Sequence, residues 1–249
     1  MAQAVSVRRA VVTGGAQGIG AAIGARLAAD GLDVVLLDRD GPGVVAQAAE
    51  LSVAGGGRVI GLRCDVANRA EVAETVAQAA DLLGGLDTVV TNAGIARDAF
   101  IHKMTDSDWD DVLAVHLTGT FATIRAAAPF LRAAGPGRVV TISSISAAMG
   151  NLGQANYTAA KGGIVSLTKT LAREFARAGT TVNCIRPGFI DTPMTRSVPE
   201  SARAALLANI PLQRAGRPEE IAGAVSFLVS DDAAFMTGAV LDVNGGDYM

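Results

Sequence analysis

Thr13-Gly14-Gly15-Ala16-Gln17-Gly18-Ile19-Gly20 follows a β-branched run, Val7–Val12, and leads into Ile23, Leu27 and Ala28. The three- and four-residue spacing of those apolar positions marks the buried stripe of a helix. A glycine-rich turn between a strand and a helix brings backbone N–H groups close to a pyrophosphate at the helix N-terminus. The strict G-x-G-x-x-G string is missing, since Ile23 stands where its third glycine or alanine belongs and the spacing is Gly14-x-x-x-Gly18-x-Gly20. An ordinary glycine-rich turn would look the same, so the next strand carries the distinction. Asp33–Leu37 is followed by Asp38, 38 − 20 = 18 residues beyond Gly20, near the roughly 20-residue offset at which a carboxylate meets an adenosine ribose. Such a carboxylate accepts from ribose hydroxyls and repels a 2′-phosphate. Gln17 adds no compensating charge, so NAD(H) is favoured over NADP(H), although the Arg39 guanidinium beside it is able to grip a phosphate.

Outward from this turn, similar runs recur at Arg58–Leu62, Leu86–Thr91, Arg138–Ile142, Thr181–Ile185 and Ala239–Val243, with helical stretches between them. Strands without clean polar alternation are buried on both faces, which requires a parallel sheet covered by helices on each side. The expectation is an α/β, doubly wound (Rossmann-type) fold with a seven-stranded parallel sheet in a single domain over residues 1–249. Val72, Val76, Ala79, Ala80 and Leu83 form a second helical stripe, and Thr105 with Asp108 three positions later reads as a capping box opening a long helix around Asp108–Leu131. Pro187 to about Pro218, with Pro193, Pro199 and Pro211 inside it, reads as a loop-like lid over a site.

Composition excludes several classes of function. Half of the 249 residues are hydrophobic and 18% are charged, which excludes a chain held unfolded by self-repulsion. A net charge of −3 offers no basic field to nucleic acid. No run approaches the roughly 18 apolar residues of a membrane span, and the apolar run after Arg8-Arg9 is too short for a secretory signal. A cytoplasmic protein is expected. Cys64 and Cys184 lack metal spacing and read as small packed side chains, with no metal site.

Chemistry is concentrated after the fifth strand. Tyr157 and Lys161, four apart in Gln154-Ala155-Asn156-Tyr157-Thr158-Ala159-Ala160-Lys161, share a face if a helix starts there. An ammonium near a phenol lowers its pKa and eases proton exchange with an alcohol or carbonyl; the same pair also occurs between ordinary surface neighbours. Ser144, at the end of a strand, lies where ligand-binding loops converge. Asp65 and Val66, after the third strand, and Asn92-Ala93-Gly94, after the fourth, border the same crevice or cap a strand end.

Together these motifs resemble the short-chain dehydrogenase/reductase family along the whole chain: a Thr-Gly-x-x-x-Gly-x-Gly turn, Asn-Ala-Gly, a Ser, then Tyr-x-x-x-Lys. The resemblance implies Tyr157 as general acid/base, Lys161 binding the nicotinamide ribose and lowering the phenol's pKa, and Ser144, with Ser143 as the alternative, orienting the substrate oxygen. It places Pro187, Gly188, Ile190 and Thr192 beside the nicotinamide. The family usually has Asn where Val115-His116-Leu117-Thr118-Gly119 carries His116. His116 either replaces Asn in a water-mediated proton relay, titrating near neutrality, or is a packed histidine.

Within the family, Gln154-Ala155-Asn156-Tyr157, Ile210-Pro211-Leu212, Pro218-Glu219-Glu220-Ile221 and Val243-Asn244-Gly245-Gly246 are most similar to 3-oxoacyl-acyl carrier protein reductases. Such enzymes are typically NADPH-using homotetramers. Asp38 argues for the other cofactor, and Ala133-Ala134-Gly135-Pro136-Gly137 and Ala178 lack basic residues for an acidic carrier, with Arg132 and Arg177 close by. The expected activity is an NADH-linked reduction of a 3-oxoacyl thioester on CoA or carrier protein. A secondary-alcohol or polyol dehydrogenase is the alternative, and a non-catalytic nucleotide-binding regulator is disfavoured because Ser144, Tyr157 and Lys161 are all present.

Overall fold

The computed structural model of the chain describes residues 8–54, 56–196, 198 and 200–249. The seven apolar runs form β1 (Arg9–Thr13), β2 (Asp33–Asp38), β3 (Val59–Arg63), β4 (Thr88–Thr91), β5 (Arg138–Ile142), β6 (Thr181–Pro187) and β7 (Val240–Val243). Ends shift by a few residues from the sequence reading, and Val7 lies outside the described residues. All pairings are parallel, in the order β3-β2-β1-β4-β5-β6-β7.

Alternation within the strands divides the core between two faces. Ala10, Val12, Val34, Leu36 and Val90 point to one face, where they meet Ile23 and Leu27 of α1 (Gly18–Ala29) and Ile221 and Val225 of α10 (Pro218–Val229). Val11, Val35, Leu37 and Val89 point to the other, against Val72, Val76 and Leu83 of α3 (Arg69–Leu83) and Ile124 and Leu131 of α5 (Gly119–Ala134). Both stripes expected from the sequence are buried, and each large aliphatic side chain so covered contributes roughly 1.5–3 kcal/mol. Between β2 and β3 runs α2 (Gly41–Val53). Among the described residues no helix is long and apolar enough to cross a membrane.

α4 (Asp106–Leu113) opens with the expected capping box: the Asp108 N–H donates to Thr105 Oγ1 at 3.1 Å, and the Thr105 N–H donates to Asp108 Oδ2 at 3.1 Å. The long helix is not uniform. Ala114–Thr118 forms a π-helical turn between α4 and α5, a widening often found at functional sites, and it carries His116.

The segment from Pro187 to Pro218 is less loop-like than its prolines suggest. It holds α8 (Pro193–Arg196) and α9 (Glu200–Asn209), and α10 begins at Pro218. Pro193 and Pro218 occupy first helical positions, where a missing N–H costs nothing; Pro199 lies outside the described residues. The stem of this segment is closed by a bridge between Ile190 and Gly216. The remaining helices are α6 (Ser146–Met149) and α7 (Ala155–Phe175), with α7 covering the sheet after β5.

Candidate active site

Because every strand runs the same way, their C-terminal ends form one rim: Gly14 follows β1, Asp38 ends β2, Asp65 follows β3, Asn92 follows β4, Ser143 and Ser144 follow β5, and Gly188 follows β6. The chain changes direction across the sheet between β1 and β4, and a ligand crevice opens at such a switch point. A cavity of about 440 Å³ occupies it.

At its centre is the glycine turn. Gly14 has φ +70°, and a Cβ there would stand 2.8 Å from Ala93 Cα; one on Gly20 would stand 1.9 Å from the Gly14 carbonyl oxygen. Only glycine permits so tight a turn into α1. Gln17, at the N-cap of α1, is extended and makes no side-chain cap, so the first N–H groups of the helix remain suited to an anion. Gly20 supports the turn without lining the cavity, whereas Gly14, Gln17, Gly18 and Ile19 line it. The glycine for close helix–sheet approach, sought at Ile23, is Gly24: a Cβ there would lie 2.5 Å from Leu36 Cδ2. Asn92 staples the turn to β4, its Nδ2 donating to the Thr13 and Gly14 carbonyls at 3.1 and 3.2 Å. Thr13 Oγ1 accepts from the N–H groups of Asn92 and Ala93.

At one end of the cavity lie Asp38, Arg39, Asp65 and Val66, together with Asp40, which sequence reasoning did not single out, and Cys64, which it read only as a packed side chain. The Asp38 carboxylate is fixed by the N–H groups of Ala16 at 3.1 Å and Asp40 at 3.0 Å, leaving further lone pairs directed at the cavity rim. Asp65 also shapes the entry to α3, accepting from the Ala67 N–H at 3.0 Å. Both cysteines are buried, which raises their thiols, Cys64 to about 11.

At the other end, β5 and α7 bring Ser144, Tyr157 and Lys161 together. Ser144 is the hydroxyl that acts on the Tyr157 phenol. Ser143 Oγ donates instead to the Lys161 carbonyl at 2.8 Å, which separates the two serines left open by the sequence. Lys161 Nζ donates to the Ile142 carbonyl at 2.7 Å and lies 5.6 Å from the Tyr157 ring centroid. Burial lowers its ammonium to about 8. The expected lowering of the phenol is outweighed here: burial pushes Tyr157 above its ordinary value, with the Ser144 hydroxyl opposing and the charge of Asp98 adding.

His116 packs edge-on to Tyr157, ring centroids 5.1 Å apart. Its Nε2 stands 3.0 Å from the Ile95 amide nitrogen and 2.8 Å from the Ile95 carbonyl oxygen. Nε2 therefore accepts from the amide in one neutral tautomer and donates to the carbonyl in the other. In either case Nδ1 is buried without a partner. The expectation that His116 titrates near neutrality is corrected: burial, reinforced by the Lys161 charge, lowers it to about 3. Gly94 makes room for the ring, since a Cβ there would stand 2.4 Å from His116 Cε1.

Pro187, Gly188, Ile190 and Thr192 complete the wall, with Asn92, Ala93 and Gly94 opposite. The structure thus gathers every sequence-selected site residue around one cavity, Gly20 acting from behind it. It adds Ile95, Val115, Ile142, Pro193, Met194 and Thr195, of which Thr195 Oγ1 accepts from the Thr192 N–H at 2.9 Å. Val115 stands beside His116 on the π-helical turn and Ile142 ends β5, while Ile95 and the three residues from α8 belong to no motif. A helix N-terminus without a side-chain cap, the Asp38 carboxylate and a Tyr–Lys–Ser cluster fit a dinucleotide whose reactive ring meets an alcohol or carbonyl.

Comparison with known proteins agrees with this chemistry. The family described as Enoyl-(Acyl carrier protein) reductase matches residues 14–247. The chain is 44% identical, over the full length of both, to an uncharacterized oxidoreductase of Mycobacterium bovis. It is 42% identical to the 3-oxoacyl-[acyl-carrier-protein] reductase of Escherichia coli, over 96% of this chain and 97% of that one. It is 44% identical to the reductase of the same name from Pseudomonas aeruginosa, with the same coverage.

Proposed function

Because the chain belongs to the short-chain dehydrogenase/reductase family of oxidoreductases, we propose that it reduces a 3-oxoacyl thioester, on CoA or acyl carrier protein, to the 3-hydroxyacyl form. We assign it NAD(H) in preference to NADP(H), and a homotetrameric, cytoplasmic state. The observation that carries the reading is the meeting of Ser144, Tyr157 and Lys161 on one wall of the cavity that Asp38 closes at its far end. Similarity to 3-oxoacyl reductases over 96% of the chain supports the substrate class.

Bound at the glycine turn, the nicotinamide cofactor supplies a hydride. Ser144 Oγ–H orients the substrate oxygen, and the Tyr157 phenol gives that oxygen its proton. Burial keeps the phenol protonated beforehand, the state a general acid requires. Lys161, cationic below about 8, stabilises the phenolate that results. The unpartnered His116 Nδ1 holds a water through which the phenol is reprotonated, and the two tautomers available at Ile95 let the neutral ring take part without charging. The 187–218 segment, with α8 and α9, serves as the lid that shapes the substrate end. Asp38 also supports a second reading, an NAD-linked secondary-alcohol or polyol dehydrogenase, because NAD(H) use often accompanies oxidation.

Initial rates with acetoacetyl-CoA and a panel of secondary alcohols, each with NADH/NAD and NADPH/NADP, separate these readings. The proposal expects fastest turnover of acetoacetyl-CoA with NADH; equal rates with NADPH overturn the cofactor assignment, and preference for the alcohols overturns the substrate. Tyr157→Phe should abolish turnover and leave NADH binding nearly intact. A full-rate Tyr157→Phe enzyme removes the catalytic assignment. Sedimentation velocity checks the tetramer.

A further inference from the structure

Between β4 and α4 runs a strap, residues 92–104, whose first residues, Asn92 to Ile95, line the cavity, and residues after β5 hold it in place. The Asn156 side-chain amide donates to the Arg97 carbonyl at 3.0 Å, and the Ala99 N–H donates to the Gly153 carbonyl at 2.8 Å. The third tie is different in kind, because it leads to the reacting groups. Gln154 Nε2 donates to Asp98 Oδ2 at 2.8 Å. A carboxylate accepts only, so the Gln154 amide cannot turn round, and Oε1 must face inward as an acceptor. There it receives Asn151 Nδ2 at 3.0 Å and the Ser146 hydroxyl at 3.4 Å. With its hydrogen directed at Gln154, Ser146 Oγ accepts from the Ser144 hydroxyl at 3.3 Å, while the Ser146 N–H donates back to Ser144 Oγ at 3.2 Å. The Ser144 hydrogen is thereby turned away from the Tyr157 phenol, which it would otherwise lower. The hydroxyl contacts are long, as catalytic hydrogen bonds often are before a substrate is seated.

We propose that Gln154 and Ser146 are positioning residues through which Asp98 fixes the direction of the Ser144 hydroxyl, holding the neighbouring Tyr157 phenol in its proton-bearing form until a substrate oxygen arrives. The inference rests on the reading of Tyr157 as general acid/base given above. Every hydrogen along the chain points toward Asp98. A phenolate at Tyr157 would draw the Ser144 hydrogen to itself and break the link to Ser146. With a neutral group at position 98 the Gln154 amide is free to turn and donate inward, so the chain can reverse. The charged and titratable groups around the Tyr157 ring are the Lys161 ammonium on its own helix, His116 on the π-helical turn and Asp98 on the strap. His116 is neutral above about 3, and Arg97, next to Asp98, lies 4.0 Å from Asp111. Lys161 and Asp98 therefore act on the phenol in opposite senses.

The test is the pH dependence of kcat/KM for oxidation of 3-hydroxybutyryl-CoA with saturating NAD, in which Tyr157 must first lose its proton. In Asp98→Asn and in Ser146→Ala the rising limb should move to lower pH by about 0.5, which is about threefold in rate at a fixed pH on that limb; Asp98→Glu should keep the parent profile. A latch that merely stiffened the strap would change KM and leave the limb in place. Profiles of Asp98→Asn and Ser146→Ala superimposable on the parent's overturn the proposal alone, provided Tyr157→Phe is inactive. An active Tyr157→Phe, or no oxidation of the thioester, overturns the functional reading and this proposal with it.

Discussion

Replacing Gly94 by alanine adds one methyl group at a place where the structure gives a magnitude. The new Cβ would stand 2.4 Å from His116 Cε1, 3.1 Å from Nδ1 and 3.2 Å from Nε2, where ordinary contact begins at 3.4 Å. The ring must therefore retreat by 3.4 − 2.4 = 1.0 Å. It has little freedom to do so: Nε2 is tied to Ile95, and the ring's edge rests against Tyr157. Overpacking of this kind costs about 1–3 kcal/mol, and loosening a buried hydrogen bond adds about 1–3 kcal/mol, so a net loss of about 2–6 kcal/mol is expected. In a His116→Ala background the obstacle is gone, and the same alanine should cost less than about 1 kcal/mol, since stiffening the unfolded chain works in its favour. Urea denaturation of the parent, both single variants and the double variant yields the coupling energy directly. A coupling of at least about 1 kcal/mol is expected; a value below about 0.5 kcal/mol, within ordinary additivity, would refute the packing of Gly94 against His116. The displaced ring also meets Tyr157, so turnover of Gly94→Ala should fall at least about tenfold, equivalent to about 1.4 kcal/mol in the barrier.

Further outcomes follow from the buried groups. Lys161 carries a folded-state pKa lowered from 10.5 to about 8, so the unfolded chain binds more protons between those values and stability rises with pH across that window. Lys161→Met should abolish turnover yet be more stable than the parent by about 1–3 kcal/mol at pH 6.5, with the advantage shrinking above pH 8 in thermal melts; a less stable variant at pH 6.5 contradicts this. His116, lowered from 6.5 to about 3, makes the protein lose stability as pH falls below 6.5, by about 2 kcal/mol at pH 5. His116→Asn should flatten that acid limb in denaturant titrations. If the water relay operates, His116→Ala should lower turnover between pH 6 and 9 more than His116→Asn; unchanged rates in both variants remove the relay. Gly20→Ala, with its Cβ 1.9 Å from the Gly14 carbonyl oxygen, should lower NADH affinity at least about tenfold, measured by fluorescence titration.

What the sequence disclosed and what it hid divide along a physical line. Strands of a parallel sheet are apolar on both sides, so all seven stood out, and the glycine turn did too because positive φ and near-contact of backbones exclude other residues. Tyr157 and Lys161 stood out because a helix turns Tyr-x-x-x-Lys into neighbours. Features created by a partner distant in the chain stayed hidden. Gly24 is required by Leu36, on the neighbouring strand, and the Asp98–Gln154 tie joins residues 56 positions apart. Ser143 and Ser144 are told apart only by which of them meets the Lys161 carbonyl. The helix α8 was hidden by Pro193, since a proline breaks a helix in its middle but opens one at its start. His116 kept its neutral-pH expectation until its burial was known.

The staple from Asn92 to the carbonyls of Thr13 and Gly14 spans almost eighty positions. A chain emerging from the ribosome therefore exposes its glycine turn well before it has made the side chain that holds the turn in shape. The first βαβ unit alone lacks this support, because β4, its neighbour in the sheet, is still to come. The turn gains this support only once nearly two-fifths of the polypeptide has been synthesised, after the chain has crossed the centre of its own sheet.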